Sequence, residues 1–178
     1  MKRVCIVGAE STGKTTLAAR LAEHYRTNWV PEYGREYCVD KWKNGYTDTW
    51  TTGEFIAIAL EQARREDEAA RTANRVLICD TDALATSIWH ERYINRPSPE
   101  VVAIAGRRRY DLYLLAGDEI PYEQDGVRDS GHVRHWMQQR FVEELTASKR
   151  PWTLLAGSLA ARLSLAVNLI DGILLDGR

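Results

Sequence analysis

The sequence lacks a surplus of charge of either sign, a cysteine framework and any long apolar run, and each shortage excludes something. Its 24 basic and 25 acidic side chains leave a formal net charge of −1. A protein that embraces nucleic acid or an anionic membrane surface carries a positive field, and this chain has none at the level of the whole molecule. Its three cysteines, Cys5, Cys38 and Cys79, are an odd set without framework spacing, which excludes a disulfide scaffold. Cys5 and Cys79 stand within apolar runs and read as packed thiols. No stretch approaches the ~20 apolar residues that a membrane-crossing helix needs, and the opening MKRVCIVG lacks the organisation of a signal peptide. A cytoplasmic protein is expected. Pro/Gly/Ser-rich linkers, repeats and low-complexity segments are also lacking, so one domain with a single core is expected over residues 1–178.

What is present is an alternation of short apolar runs with longer amphipathic ones. Arg3–Val7, Asn28–Val30, Arg75–Cys79, Leu112–Leu115 and Trp152–Ala156 read as strands. Lys14–Tyr25, Thr52–Thr72, Ala83–Tyr93, Pro99–Arg108, His132–Ser148 and Leu159–Ile170 read as helices. In Thr52–Thr72, Phe55, Ile58, Ala59 and Gln62 share a face, with Arg64, Glu66 and Asp67 elsewhere. Apolar strands separated by helices predict an α/β fold whose parallel sheet is covered on both faces. In such sheets ligands bind beyond the carboxyl ends of the strands, just after Val7, Val30, Cys79 and Leu115 here.

The first of those places holds the most specific motif. Gly8-Ala9-Glu10-Ser11-Thr12-Gly13-Lys14-Thr15 fits G-x-x-x-x-G-K-S/T, after a strand and at the start of a helix. Its glycines let backbone N–H groups curl inward around phosphate oxygens, Lys14 supplies a cation and the Thr15 hydroxyl is suited to Mg²⁺. The segment Gly8–Thr16 is therefore expected to bind the phosphates of a nucleoside triphosphate.

Three further segments carry candidate chemistry. Asp80 and Asp82 follow a strand, where an acid supplies a second magnesium contact, although Asp82 or Thr81 in that position also suits a helix N-cap. Glu32, Tyr33 and Arg35 follow another strand end. There Glu32 suits a base, Tyr33 a stacking face and Arg35 a contact to phosphate or ribose; a solvated surface loop is the plain alternative. Glu32 and Asp80 remain equal candidates for the base. The segment from about 117 to 131 is rich in Gly, Pro and acids and holds Asp125-Gly126-Val127-Arg128-Asp129. It suits a lid that brings Arg128, or secondarily Arg134, to the transferring phosphoryl group. His132 and His135 lack the further ligands of a zinc set. Arg107, Arg108 and Arg109 read as a solvated helix end. Trp42, Trp50 and Trp89 are the tryptophans considered for the substrate pocket.

GAESTGKTTL, PEYGREY, ICDTD and PYEQDGVRDSG, in that order, resemble the ribosylnicotinamide kinase domain of the NadR family. The resemblance spans Lys2 to about Ile170. It implies a P-loop kinase fold with a five-stranded parallel sheet, and transfer of the ATP γ-phosphoryl group to the 5′-hydroxyl of nicotinamide riboside with Mg²⁺. It implies Gly8–Thr16 at the triphosphate, Glu32, Tyr33 and Arg35 near the nucleoside, Asp80 and Asp82 near metal and ribose, and Arg128 in the lid. Family members carry an adenylyltransferase domain and some a DNA-binding one; neither is expected here, nor is repressor activity or conversion of nicotinamide mononucleotide to NAD. A kinase for another small metabolite, or a nucleotide-dependent regulatory switch, are the alternatives. The absence of an N-K-x-D motif disfavours a GTP switch.

Overall fold

A computed structural model describes residues 1–45, 49–121 and 133–175. Arg128, His132 and most of the expected lid fall outside the described residues. Five strands alternate with seven helices among those residues. The strands are β1 (Lys2–Val7), β2 (Trp29–Val30), β3 (Val76–Asp80), β4 (Leu112–Ala116) and β5 (Trp152–Leu155). The helices are α1 (Lys14–Tyr25), α2 (Tyr33–Lys43), α3 (Thr52–Ala70), α4 (Ala83–Ile94), α5 (Pro99–Arg107), α6 (Val133–Ala147) and α7 (Leu159–Leu175).

The sheet has the order β2-β3-β1-β4-β5 and every pairing is parallel. Successive strand residues point to opposite faces, so each strand contributes to two cores. Cys5, Val7, Leu77, Cys79, Tyr113 and Leu115 pack with residues of α3, α4, α5 and α6. Val4, Ile6, Val76, Ile78, Leu112 and Leu114 pack with α1 and α7. Burial on both faces explains why the strands read as unbroken apolar runs. Cys5 and Cys79 are fully enclosed, as their apolar setting predicts.

Local signals start several helices. Thr51 and Glu54 form a capping box at α3: the Thr51 N–H donates to Glu54, and the Glu54 N–H donates back to the Thr51 hydroxyl. Ser98 caps α5, with Pro99 in its first turn. No helix among the described residues is long and apolar enough to cross a membrane.

Two expectations fail here. The stretch after Glu32, where no helix was expected, forms α2, so the plain alternative of a surface loop does not hold. Its own apolar pattern is weak, and its sole buried residue is a lysine, Lys41. Ion pairs to α3 hold it: Arg65 with Glu36 and Lys41 with Glu54. Arg108 is likewise no solvated helix end. It donates to Asp67 and to Glu66, which is wholly buried, so Glu66 belongs to the inner face of α3. A buried carboxylate without such a partner would be costly, and the pair supplies what the apolar surroundings cannot.

Candidate active site

β1 delivers the chain into the phosphate loop at the carboxyl edge of the sheet. Gly8 has φ +143°, and a Cβ there would stand 2.7 Å from the Ala116 carbonyl oxygen of β4. The close approach of loop and strand thus requires glycine. Gly13, at φ +79°, is the residue that turns the loop into α1. The Thr12 hydroxyl and the Lys14 ammonium both donate to the Ala9 carbonyl at 2.8 Å. Lys14 is thereby folded back over the loop it serves.

Asp80 ends β3, the strand beside β1. The Thr15 hydroxyl donates to Asp80 Oδ2 at 2.6 Å. Asp80 Oδ1 is buried and has no hydrogen-bond partner among the described residues. An orphaned carboxylate oxygen beside a hydroxyl is a hard-oxygen donor set that fits Mg²⁺. Burial raises the Asp80 carboxyl above its usual range, against the opposing pull of Lys14, the Thr15 hydroxyl and Arg35.

Glu32 stands at the N-cap of α2, and its side chain makes no capping bond. Burial raises its carboxyl too; Lys14 and Arg35 oppose the shift, whereas Asp80 adds to it. Opposite the phosphate loop, Trp50, Phe55, Trp89 and Tyr93 form an aromatic wall. The rings of Trp89 and Tyr93 stack with centroids 5.8 Å apart, and Trp50 lies 5.4 Å from Tyr93 and 5.2 Å from Phe55. The Lys41 ammonium sits 4.0 Å from the Trp50 ring centroid.

One cavity joins these parts. Gly8, Glu10, Ser11, Thr12, Gly13, Lys14, Thr15 and Thr16 line it, together with Glu32, Arg35 and all four aromatic residues of the wall. Ala9 lies buried within the loop, and Asp80 is buried behind Thr15. Three further expected contacts are not on its wall. Tyr33 is covered instead by the Arg65 guanidinium, 4.3 Å from its ring centroid. Asp82 turns into the core, where it accepts hydrogen bonds from the Leu84 and Ala85 N–H groups and from the Tyr113 hydroxyl. Its helix-capping role therefore prevails, because a carboxylate at a helix start serves two orphan N–H groups. Arg134 donates to the Asp118 and Ile120 carbonyls and so braces the segment after β4.

Residues 3–162 match the model of a family described as AAA domain. The chain belongs to that family. Over 147 residues, 82% of the chain, it is 35% identical to the trifunctional NAD biosynthesis/regulator protein NadR of Salmonella typhimurium LT2 and to that of Escherichia coli K12. It spans only 36% of the length of those relatives. Among solved structures, a NadR protein in complex with NR superposes with a TM-score of 0.79 at 24% identity, over 97% of this chain and 50% of that one. A deoxyadenosine kinase from M. mycoides gives 0.70 at 11% identity, over 96% and 99%. These likenesses establish the P-loop kinase fold, with its five-stranded parallel sheet.

This AAA domain also uses residues that sequence reasoning missed. Arg162, near the start of α7, is 2% exposed. It donates to the carbonyls of Gly157, Thr12 and Gly117 and to Glu119, tying the loops after β4 and β5 to the phosphate loop. A lone arginine in a mostly apolar helix was the available signal. Phe55 and Tyr93 gave none, since aromatic residues on helices are more commonly core.

Proposed function

We propose that this AAA domain is a nucleoside kinase that transfers the γ-phosphoryl group of ATP to the 5′-hydroxyl of nicotinamide riboside, giving nicotinamide mononucleotide. The observation that carries the proposal is one cavity in which a phosphate loop, the Glu32 carboxyl and an aromatic wall meet, with Asp80 buried behind Thr15. The names of the NadR relatives, with their NAD biosynthesis, and the NR-bound NadR structure support the choice of acceptor. A flat cationic ring suits aromatic faces beside a carboxylate.

The loop N–H groups and Lys14 bind the outer phosphates, and the acceptor lies between them and the aromatic wall. The acceptor oxygen forms a bond to the γ-phosphorus while the bond from that phosphorus to the bridging oxygen breaks. ADP leaves with the electron pair. Glu32 is the better candidate to take the hydroxyl proton, because it lines the cavity and its raised carboxyl is a stronger base than an ordinary one. Asp80 is engaged by the Thr15 hydroxyl, and these two residues would hold Mg²⁺. When bound, that ion offsets negative charge on the phosphates. Arg35 has the reach to contact ribose or phosphate from the same wall.

The test is incubation with Mg·ATP and a panel of nucleosides, with products identified by mass. Nicotinamide mononucleotide should dominate and vanish with Lys14→Ala. Another dominant product would overturn the acceptor assignment. Tight nucleotide binding with no acceptor used would point to a regulatory switch.

A further inference from the structure

The inner face of α3 should be apolar, since it packs against the sheet, and Phe55, Ile58 and Ala59 meet that need. One turn later it carries Gln62, 2% exposed, and then Glu66, fully buried. Two polar side chains in a core stripe are expensive unless fully bonded. Their bonds form a chain that ends at the peptide beside the cavity.

Glu66 is anchored at its outer end. Its Oε2 accepts from Arg108 at 2.9 Å and from the Tyr110 hydroxyl at 2.7 Å. Gln62 Nε2 donates to Glu66 Oε1 at 3.4 Å, and Gln62 Oε1 accepts from the Tyr33 N–H at 2.9 Å. The Tyr33 partner sets the amide orientation, because an N–H only donates and so must meet the amide oxygen. Gln62 therefore satisfies one of the N–H groups that open α2, and it does so from a different helix.

The Tyr33 N–H belongs to the peptide that joins Glu32 to Tyr33. We propose that Gln62 is a positioning residue: by gripping that peptide it sets the direction of the Glu32 side chain, and hence the place of the carboxyl against the acceptor hydroxyl. The inference rests on Glu32 acting as the base proposed above. Glu32 has no capping bond to hold it, so the peptide is the nearest point at which its direction is controlled. Gln62 also lines the cavity, and a mere wall residue would affect acceptor binding alone.

Gln62→Met removes both bonds at nearly constant volume. Hydrogen exchange of the Tyr33 amide should then accelerate at least tenfold. The kcat should fall roughly 10- to 100-fold, as ångström-scale misplacement of a reacting group does, with acceptor KM moved much less. Gln62→Glu keeps the oxygen that accepts from Tyr33 and can share a proton with Glu66, so it should recover most of the lost kcat. If Gln62→Met fails to fold, Gln62→Asn, one methylene shorter, breaks the same span and is read identically. Unchanged exchange at Tyr33 sinks the inference, as does a higher acceptor KM with kcat intact. A wild-type protein that phosphorylates no nucleoside defeats the functional proposal instead; Tyr33 exchange in Gln62→Met then decides the grip by itself.

Discussion

At the scale of single residues, the site depends on a few atoms whose surroundings differ from water. Glu66 is the clearest case. Burial pushes its carboxyl up to about 7, against the lowering effect of Tyr110 and Arg108. Unfolding returns it to the ordinary value of 4.5. Because the folded value is the higher one, the folded chain keeps the Glu66 proton in a range where the unfolded chain has released it. The contribution of this group to stability is therefore greatest below about pH 4.5, declines as pH rises, and levels off above about pH 7. Glu66→Gln cannot titrate. The unfolding free energy of wild type minus that of Glu66→Gln should fall by about 3 kcal/mol between those limits, read from urea denaturation at a series of pH values. A flat difference would mean that Glu66 titrates as an exposed carboxyl.

At the scale of elements, α2 and α3 act as a unit that no single segment encodes. The first turn of α2 brings Glu32 and Arg35 to the cavity, and α3 braces it through Gln62, Arg65 and Glu54. Behind α3, Arg108 links the end of α5 to Glu66 and Asp67. Arg108→Met keeps the aliphatic bulk but leaves Glu66 without its counter-charge. Because Glu66 titrates near 7, it can answer by keeping its proton, so the loss tied to its charge is limited to about 1 kcal/mol at pH 7.5, in addition to the lost bonds to Asp67. That loss should shrink in acid, where Glu66 is protonated in either protein. Equilibrium denaturation at pH 5 and pH 7.5 checks both statements. This pairing was hidden because a basic triplet at a helix end looks the same whether it meets water or a buried acid; only the packing of α5 against α3 distinguishes them.

At the scale of the whole molecule, the carboxyl edge of the sheet gathers buried acids, Asp80 foremost, that nothing in the described residues neutralises fully. On the proposed function Mg·ATP would bind the folded state alone and so stabilise the protein through mass action. At a free concentration one hundred times Kd the gain is about 2.7 kcal/mol, or roughly 5–10 °C in Tm for a chain of this size. Thermal unfolding with Mg·ATP, with ATP plus a chelator, and with Lys14→Ala tests this. The full shift should appear only when metal, nucleotide and Lys14 are all present. An equal shift with chelator would argue against a metal role for Thr15 and Asp80.

By itself the sequence determined the strand and helix alternation, the parallel sheet, the phosphate loop from Gly8 to Thr16 and the neighbourhood of Glu32 and Asp80. Those features are local: apolar period, glycine spacing and position at a strand end each leave a mark within a few residues. The tertiary structure decided the rest. It turned Asp82 to the start of α4, covered Tyr33 with Arg65, and set Arg134 against two carbonyls. It also assembled Trp50, Phe55, Trp89 and Tyr93 into one wall, and brought Arg162 beneath the phosphate loop from 150 positions away. Which way a polar side chain points depends on the partner that best satisfies it, and these partners come from elements distant in the chain.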